Sequence, residues 1–156
     1  MMDEEKMVLD KSLLAKAARY CAQEEQCVAT VRTKLYGWGA DEEMIVAVLD
    51  YLVESGYIDE HRYARHYCEG KIRLQKWGRR KVSYQLKLKG LTDDLIAEGL
   101  ESVSQSEYEE VLLHVAQTKW DSFRESDIYK RRNKLTAFLL SRGFEMEEVR
   151  EVVRSF

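Results

Sequence analysis

The sequence predicts an all-α protein made of three tandem three-helix repeats, packed as an elongated, curved array. Three observations lead there. The 156 residues contain no proline and only eight glycines, and 34% of them are charged. Strand-rich chains need more turn punctuation than this, whereas chains rich in Glu, Lys, Arg, Leu and Ala favour helices. One pattern recurs three times, centred on Gly39, Gly90 and Gly143. Within each copy the apolar residues return at helical spacing.

The three copies read VRTKLYGWGADEEMIVAVL, VSYQLKLKGLTDDLIAEGL and LTAFLLSRGFEMEEVREVV. Eight residues before each glycine stand Val31, Val82 and Leu135, and four before stand Leu35, Leu86 and Leu139. Six residues after stand Ile45, Ile96 and Val149, and ten after stand Leu49, Leu100 and Val153. The glycines lie 51 and 53 residues apart, a period typical of helical arrays. Each is expected to end a helix in the left-handed conformation that other residues resist. Asp41 and Thr92 are good N-caps for the helices that follow, and Glu145 is a poor one.

Each repeat also has a helix upstream, at about 12–24, 59–75 and 107–121. Asp59 is placed to cap the second of these through the amide of His61 or Arg62. The organisation expected is a tail at 1–11 and repeats at 12–56, 57–104 and 105–156. A unit of about fifty residues buries too little surface to stand alone with ease, so neighbouring units are expected to pack.

The middle repeat carries the charge signal. Residues 61–90 hold ten Lys/Arg and a single acid, Glu69, in a chain whose net charge is −3. Such a segment reads as an electrostatic footprint for a polyanion. On the helix at 59–75, Tyr63, Ala64, Tyr67 and Leu74 fall on one side and face the core. Arg62, Arg65, Glu69 and Arg73 fall on the other, with Lys76 if the helix reaches it. In the next helix Val82 and Leu86 face inward, while Arg80, Tyr84 and Lys87 form a stripe on another face. A tyrosine between two cations suits a phosphate backbone with a base or sugar beside it. The candidate contacts are Arg62, Arg65, Arg73, Lys76, Arg79, Arg80, Lys81, Tyr84, Lys87 and Lys89. Trp38, Trp77 and Trp120 are expected to seal helix corners. Trp77 is the exception, because Lys76, Arg79, Arg80 and Lys81 surround it in sequence.

No catalytic constellation emerges, and no enzyme, metal or cofactor is expected. GWG at 37–39 precedes ADEE rather than GK, so it is no phosphate-binding loop. His61 and His66 are five residues apart and do not share a helix face as an HExxH pair would. Cys21, Cys27 and Cys68 form no CxxC pair and read as reduced, buried thiols. No apolar run is long enough to span a membrane. The N-terminus is acidic and lacks an apolar signal core, so a cytoplasmic protein is expected, and a monomer.

Three segments carry a resemblance to a known family. GYIDEHRYA at 56–64 resembles the GY-[LI]-D-[DE]-x-R-[FY]-A segment of the bacterial RecX family. KWGRRKVSYQLKLKGL at 76–91 is similar to its K-x-G-x-x-x-[IV]-x-x-x-L-x-x-x-G-[IL] segment, with Trp77 where a small residue is usual. LTAFLLSRGFEMEEVREVV at 135–153 resembles its closing L-x-x-F-L-x-x-R-G-F segment. The likeness covers about residues 13–156. It implies three tandem three-helix repeats and a regulator, chiefly an inhibitor, of the recombinase RecA in DNA recombination and repair. The partners it implies are the RecA–DNA filament and single- or double-stranded DNA, with limits on filament extension, ATPase and strand exchange. It supplies no invariant active site, so the contacts above rest on charge. The alternative is a stand-alone DNA-binding protein on helix-turn-helix-like modules. Against it, the helices opening at DEEMIVAVL and TDDLIAEGL begin with acids, which phosphates repel.

Overall fold

Among the described residues, helix-forming composition and glycine stops produce nine α-helices in a computed structural model. The model describes the backbone of residues 2–156 and the side chains of 11–156. They are α1 (Met2–Gln23), α2 (Val28–Gly37), α3 (Glu42–Glu54), α4 (Glu60–Arg73) and α5 (Arg79–Leu88). Then follow α6 (Asp93–Glu101), α7 (Gln105–Ser122), α8 (Ile128–Ser141) and α9 (Met146–Arg154). All regular structure among the described residues is helical, and none of these helices is long and apolar enough to cross a membrane. The chain forms two compact units: unit 1 is Met1–Tyr63 with Lys89–Leu91, and unit 2 is Ala64–Leu88 with Thr92–Phe156.

In unit 1, α1 and α2 both pack on α3. The reason lies in α3, where Ile45, Val48, Leu49 and Leu52 recur at helical spacing and are all buried. They meet Ala17 and Cys21 of α1, Val31 and Leu35 of α2, and Ile58. The Asp41 carboxylate accepts from the Met44 amide at 2.8 Å and caps α3, as expected. The α1 helix starts at Met2, well ahead of the segment marked by periodicity, because nothing in MDEEKMVLD breaks a helix.

In unit 2, α7 packs on α8 and α9, α8 packs on α9, and α5 packs on α6. Its buried residues include Val82, Leu86, Ile96, Tyr108, Leu112, Leu135, Leu139, Phe144 and Val149. Thr92 caps α6 through the Leu95 amide at 3.3 Å. In unit 1, Asp59 accepts from the amides of both His61 (3.0 Å) and Arg62 (3.2 Å) at the start of α4. The Arg62 amide, ahead of the other contributions, holds the Asp59 carboxyl below its ordinary value of 3.8. Glu145 stands at the N-cap of α9 without a capping bond.

The aligned glycines all have positive φ: +90° at Gly39, +83° at Gly90 and +95° at Gly143. Ala40 N donates to Leu35 O (3.1 Å) and Phe144 N to Leu139 O (3.2 Å), so two copies close with the same helix-ending bond. A Cβ at Gly90 would meet nothing within 4 Å. Gly90→Val is therefore expected to cost only the left-handed conformation, about 1–2 kcal/mol. A urea titration should register it as a lowered midpoint, and an unshifted midpoint would contradict the turn.

Two details depart from the expectation. The buried residues of α4 are Tyr63, Ala64, Cys68 and Ile72, whereas Leu74 is 79% exposed. The helix ends at Arg73 and Lys76 turns left-handed, at φ +57°, so Leu74 no longer follows the helical phase. Burial pushes the Cys68 thiol up to about 12. In α6 the deeply buried position is Gly99 rather than the half-buried Leu100. A Cβ on Gly99 would lie 2.8 Å from the Ala64 carbonyl oxygen, so glycine lets α6 approach α4 closely.

Candidate functional site

Eight of the ten candidate residues belong to unit 2; Arg62 and Lys89 belong to unit 1. Four arginines are bound to the protein's own carboxylates. Arg62 donates to Glu25 and lies 3.8 Å from Asp59, and it also donates to the Gly56 carbonyl at 3.1 Å. Its bond to Glu25 is the chief reason its guanidinium is held even more firmly protonated than usual. Arg65 faces Glu98 at 3.8 Å. Arg73 donates to Glu107 and lies 3.6 Å from Glu69. That bond holds the Glu107 carboxyl below its ordinary value.

Arg79 is the most engaged of the four. Its guanidinium reaches Glu145 and Glu148 at 3.2 Å each and Gln105 at 2.7 Å, and lies 3.8 Å from the Tyr108 ring centroid. Tyr108 is fully buried, donates its hydroxyl to Glu145 and accepts the Arg79 amide at 2.9 Å. Burial first, then the bond to Glu145, pushes the Tyr108 phenol far above its ordinary range. This network explains why Glu145 does not cap α9: its carboxylate is held by Tyr108 and Arg79.

The remaining cations of α5 point elsewhere. Arg80, Tyr84 and Lys87 are all exposed, Tyr84 by 62%. The spacing of i, i+4 and i+7 places them along one side of α5, as the sequence predicts. Arg80 makes no ion pair among the described residues, and Lys87 has a loose, exposed pair with Asp93 at 3.2 Å. Such pairs contribute little and yield readily to a better anion.

Beside the stripe lies a group that joins Trp77 and Lys81, which the sequence singled out, to Lys71, which it did not. Lys71 and Lys81 bring their ammonium groups to 4.7 and 4.4 Å from the ring centroid of half-buried Trp77. Lys71 also lies 5.4 Å from the Tyr67 ring. The Trp77 amide donates to the Lys71 carbonyl at 3.0 Å, which fixes the indole near α4. Cation–π contact orders both lysines without neutralising them. Lys71 stands on α4 outside the ten candidates, yet the tyrosine four residues before it is a legible signal. Lys76 donates to the Arg73 carbonyl at 3.2 Å.

Taken together, α5 and the end of α4 present Arg80, Lys81, Lys87 and Lys71 with Tyr84 and Trp77. Four cations and two aromatic rings can hold phosphate oxygens and offer flat surfaces to bases. Arg62, Arg65, Arg73 and Arg79 instead tie helices together.

Comparison with known proteins bears on this architecture. Residues 59–100 match the family model for the second three-helix domain of RecX, and residues 107–153 match that for its third. A regulatory protein RecX of Clostridium botulinum (strain Eklund 17B / Type B) is 38% identical over 126 residues, 80% of this chain and 58% of the relative. The chain thus spans under two thirds of the length of such clostridial relatives. One from Chlorobium phaeobacteroides (strain BS1) is 31% identical over 144 residues, 92% of this chain and 93% of the relative. The crystal structure of RecX from Lactobacillus salivarius superposes with a TM-score of 0.85 at 18% identity, covering 94% of this chain and 95% of that one. At that identity the likeness shows the fold. With both domain models matched and near-complete overlap with a relative above 30% identity, this chain belongs to the RecX family of regulatory proteins.

Proposed function

We propose that this chain regulates the RecA recombinase, chiefly as an inhibitor. It binds the RecA–DNA filament and limits filament extension, ATPase and strand exchange. The observation that supports this most is the exposed α5 stripe of Arg80, Tyr84 and Lys87, with Lys81 and Lys71 beside it and almost no carboxylate to neutralise it. Membership of a family of regulatory proteins supports the choice of partner. The three repeats, at 12–56, 57–104 and 105–156, divide the work. The middle one meets DNA phosphate or an acidic filament surface, and the flanking ones grip protein. Among the ten candidates, Arg80, Lys81, Tyr84 and Lys87 are assigned direct contact. Lys76 and Lys89 lie at the margins, and Arg62, Arg65, Arg73 and Arg79 act by holding the helices in place. The protein works in the cytoplasm, as a monomer and without a cofactor.

The test is RecA's DNA-dependent ATPase and strand exchange on single-stranded DNA, with this protein titrated in. Inhibition is expected for the natural chain. The triple variant Arg80→Ala, Tyr84→Ala, Lys87→Ala should need at least ~10-fold more protein for the same inhibition, with unchanged helicity. If three cations reach phosphate, the log–log salt slope of binding should be about −2 to −3, shrinking by about 2 in the variant. A flat salt response would remove the phosphate contact. Intact DNA binding with no effect on RecA would favour the stand-alone DNA-binding protein.

A further inference from the structure

Unit 2 carries a second concave surface, whose lining includes no residue of α5. A groove of about 450 Å³ opens between the end of α4, α7 and α8. Leu74, Val115 and Phe138 give it an apolar floor, and Lys76, Lys119 and Arg142 stand around it. Among the described residues that line it there is no Asp or Glu.

None of the three cations is paired with a carboxylate among the described residues. Lys119 lies 4.5 Å from the Phe138 ring centroid and 5.6 Å from that of Phe123, with no carboxylate partner among the described residues. Arg142 donates to the backbone carbonyls of Gln75 (2.5 Å) and Lys76 (3.2 Å), which hold it in place without cancelling it. Its Nε is buried and has no partner. Lys76 bonds only to a carbonyl, and it is the one non-glycine with positive φ among the described residues. A lysine held in that unfavourable conformation is the kind of local strain that gathers at binding sites. Leu74, which lines the groove and is 79% exposed, is an apolar side chain with nothing covering it.

We propose that this groove binds an acidic linear segment of a partner protein, with one apolar side chain on the Leu74–Val115–Phe138 floor and flanking carboxylates on Lys76, Lys119 and Arg142. Charge complementarity names the occupant: three cations and no acid among the described lining residues call for carboxylates, and an apolar floor calls for an apolar anchor between them. Nucleic acid fits less well. The Lys119 ammonium already covers a face of Phe138, so a base has no clear ring to stack on there. A groove this size takes one or two side chains rather than a polymer backbone. The site goes beyond the regulator reading, because it needs neither the α5 stripe nor any particular filament.

The experiment is fluorescence anisotropy with the full chain and a labelled peptide, in which a leucine–phenylalanine pair sits between short runs of acidic residues. Saturable binding is expected. Leu74→Asp and Lys119→Glu should each weaken it at least ~10-fold, since each places a like charge where the ligand carries its own. Lys76→Gly relieves the backbone and removes one cation, and it should weaken binding while the fold is retained. The α5 variant Arg80→Ala, Tyr84→Ala, Lys87→Ala should bind the peptide as the natural chain does. Absence of binding would overturn the proposal, as would equal binding of an acidic peptide lacking the apolar pair, which would signal charge attraction alone. An oligonucleotide of the same charge that binds more tightly, and loses its affinity with Leu74→Asp, would make the groove a nucleic-acid site instead.

Discussion

Gly78→Ala is expected to cost unit 2 about 3 kcal/mol or more and to lower its urea midpoint sharply. The reason is backbone meeting backbone. A Cβ on Gly78 would lie 2.1 Å from both the Gly143 carbonyl carbon and the Phe144 nitrogen. Neither can give way as the tip of a flexible side chain could. The approach serves two hydrogen bonds, from Gly78 N to Arg142 O and from Arg80 N to Gly143 O, both 2.9 Å. With Arg79 N donating to the Tyr108 hydroxyl at 2.9 Å, three amides at the start of α5 are satisfied by other parts of the chain. The C-terminal carbonyls after α8 thus cap the N-terminus of α5, partial negative charge against partial positive. Forcing the segments apart breaks this cap and leaves donors unpaired. Gly143 is held from the other side: its φ is +95° and a Cβ there would meet Lys81 Cβ at 2.4 Å. Gly37→Ala is the control, because a Cβ at Gly37 meets nothing within 4 Å, and it should change stability by less than about 1 kcal/mol and leave the midpoint nearly in place. Equal midpoints for the two variants would deny the contact.

Arg79→Ala is expected to cost about 2–4 kcal/mol at neutral pH, discounted from a fully buried pair for partial exposure. The side chains of Arg79, Glu145 and Glu148 retain 23%, 31% and 24% of their accessible surface. Removing the guanidinium leaves two carboxylates facing each other, with Oε2 of Glu148 buried and already unpartnered. Arg79→Lys should recover only part of the loss, since an ammonium cannot serve three acceptors and stack on Tyr108 as a planar fork does. The pH dependence has a definite sign. Burial, and next the charge of Glu145, hold the Glu148 carboxyl above its ordinary 4.5. A raised folded value means its contribution to stability is present below 4.5 and is lost as pH rises through that folded value. Arg79 opposes this rise, so without it the carboxyl protonates at still higher pH. The deficit of Arg79→Ala, measured by urea unfolding, should therefore be smaller at pH 4.5 than at pH 7. Asp59 does not confound this, because its stabilisation is lost only as pH falls below 3.8. A deficit that stays constant or grows toward acid would show that the carboxylates are not what Arg79 neutralises.

Arg79, Gly78 and Gly143 mark where the sequence stopped being informative. Arg79 and Arg80 are adjacent and chemically identical, and a charge count treats them alike. Only the tertiary structure separates them, because it places Glu145 and Glu148, 66 and 69 residues away in the chain, against one and leaves the other exposed. Arg62 with Glu25 and Arg73 with Glu107 follow the same logic across 37 and 34 residues. Ion-pair partners distant in sequence leave no local trace, so a basic segment looks more available than it is.

What the sequence by itself determined was the helical class, the three-fold repetition and most of the core. It did so because periodicity and capping are local: Leu35, Leu86 and Leu139 are each fully buried, Asp41 and Thr92 cap as expected, and three glycines turn left-handed. The arrangement of α5 against the end of α8, the bracketing of Trp77 by Lys71 and Lys81, and the groove beside Leu74 belong to the tertiary structure alone. Each depends on which surfaces of distant helices meet, and close packing decides that through backbone approach at Gly78 and Gly143 rather than through any residue's own preference.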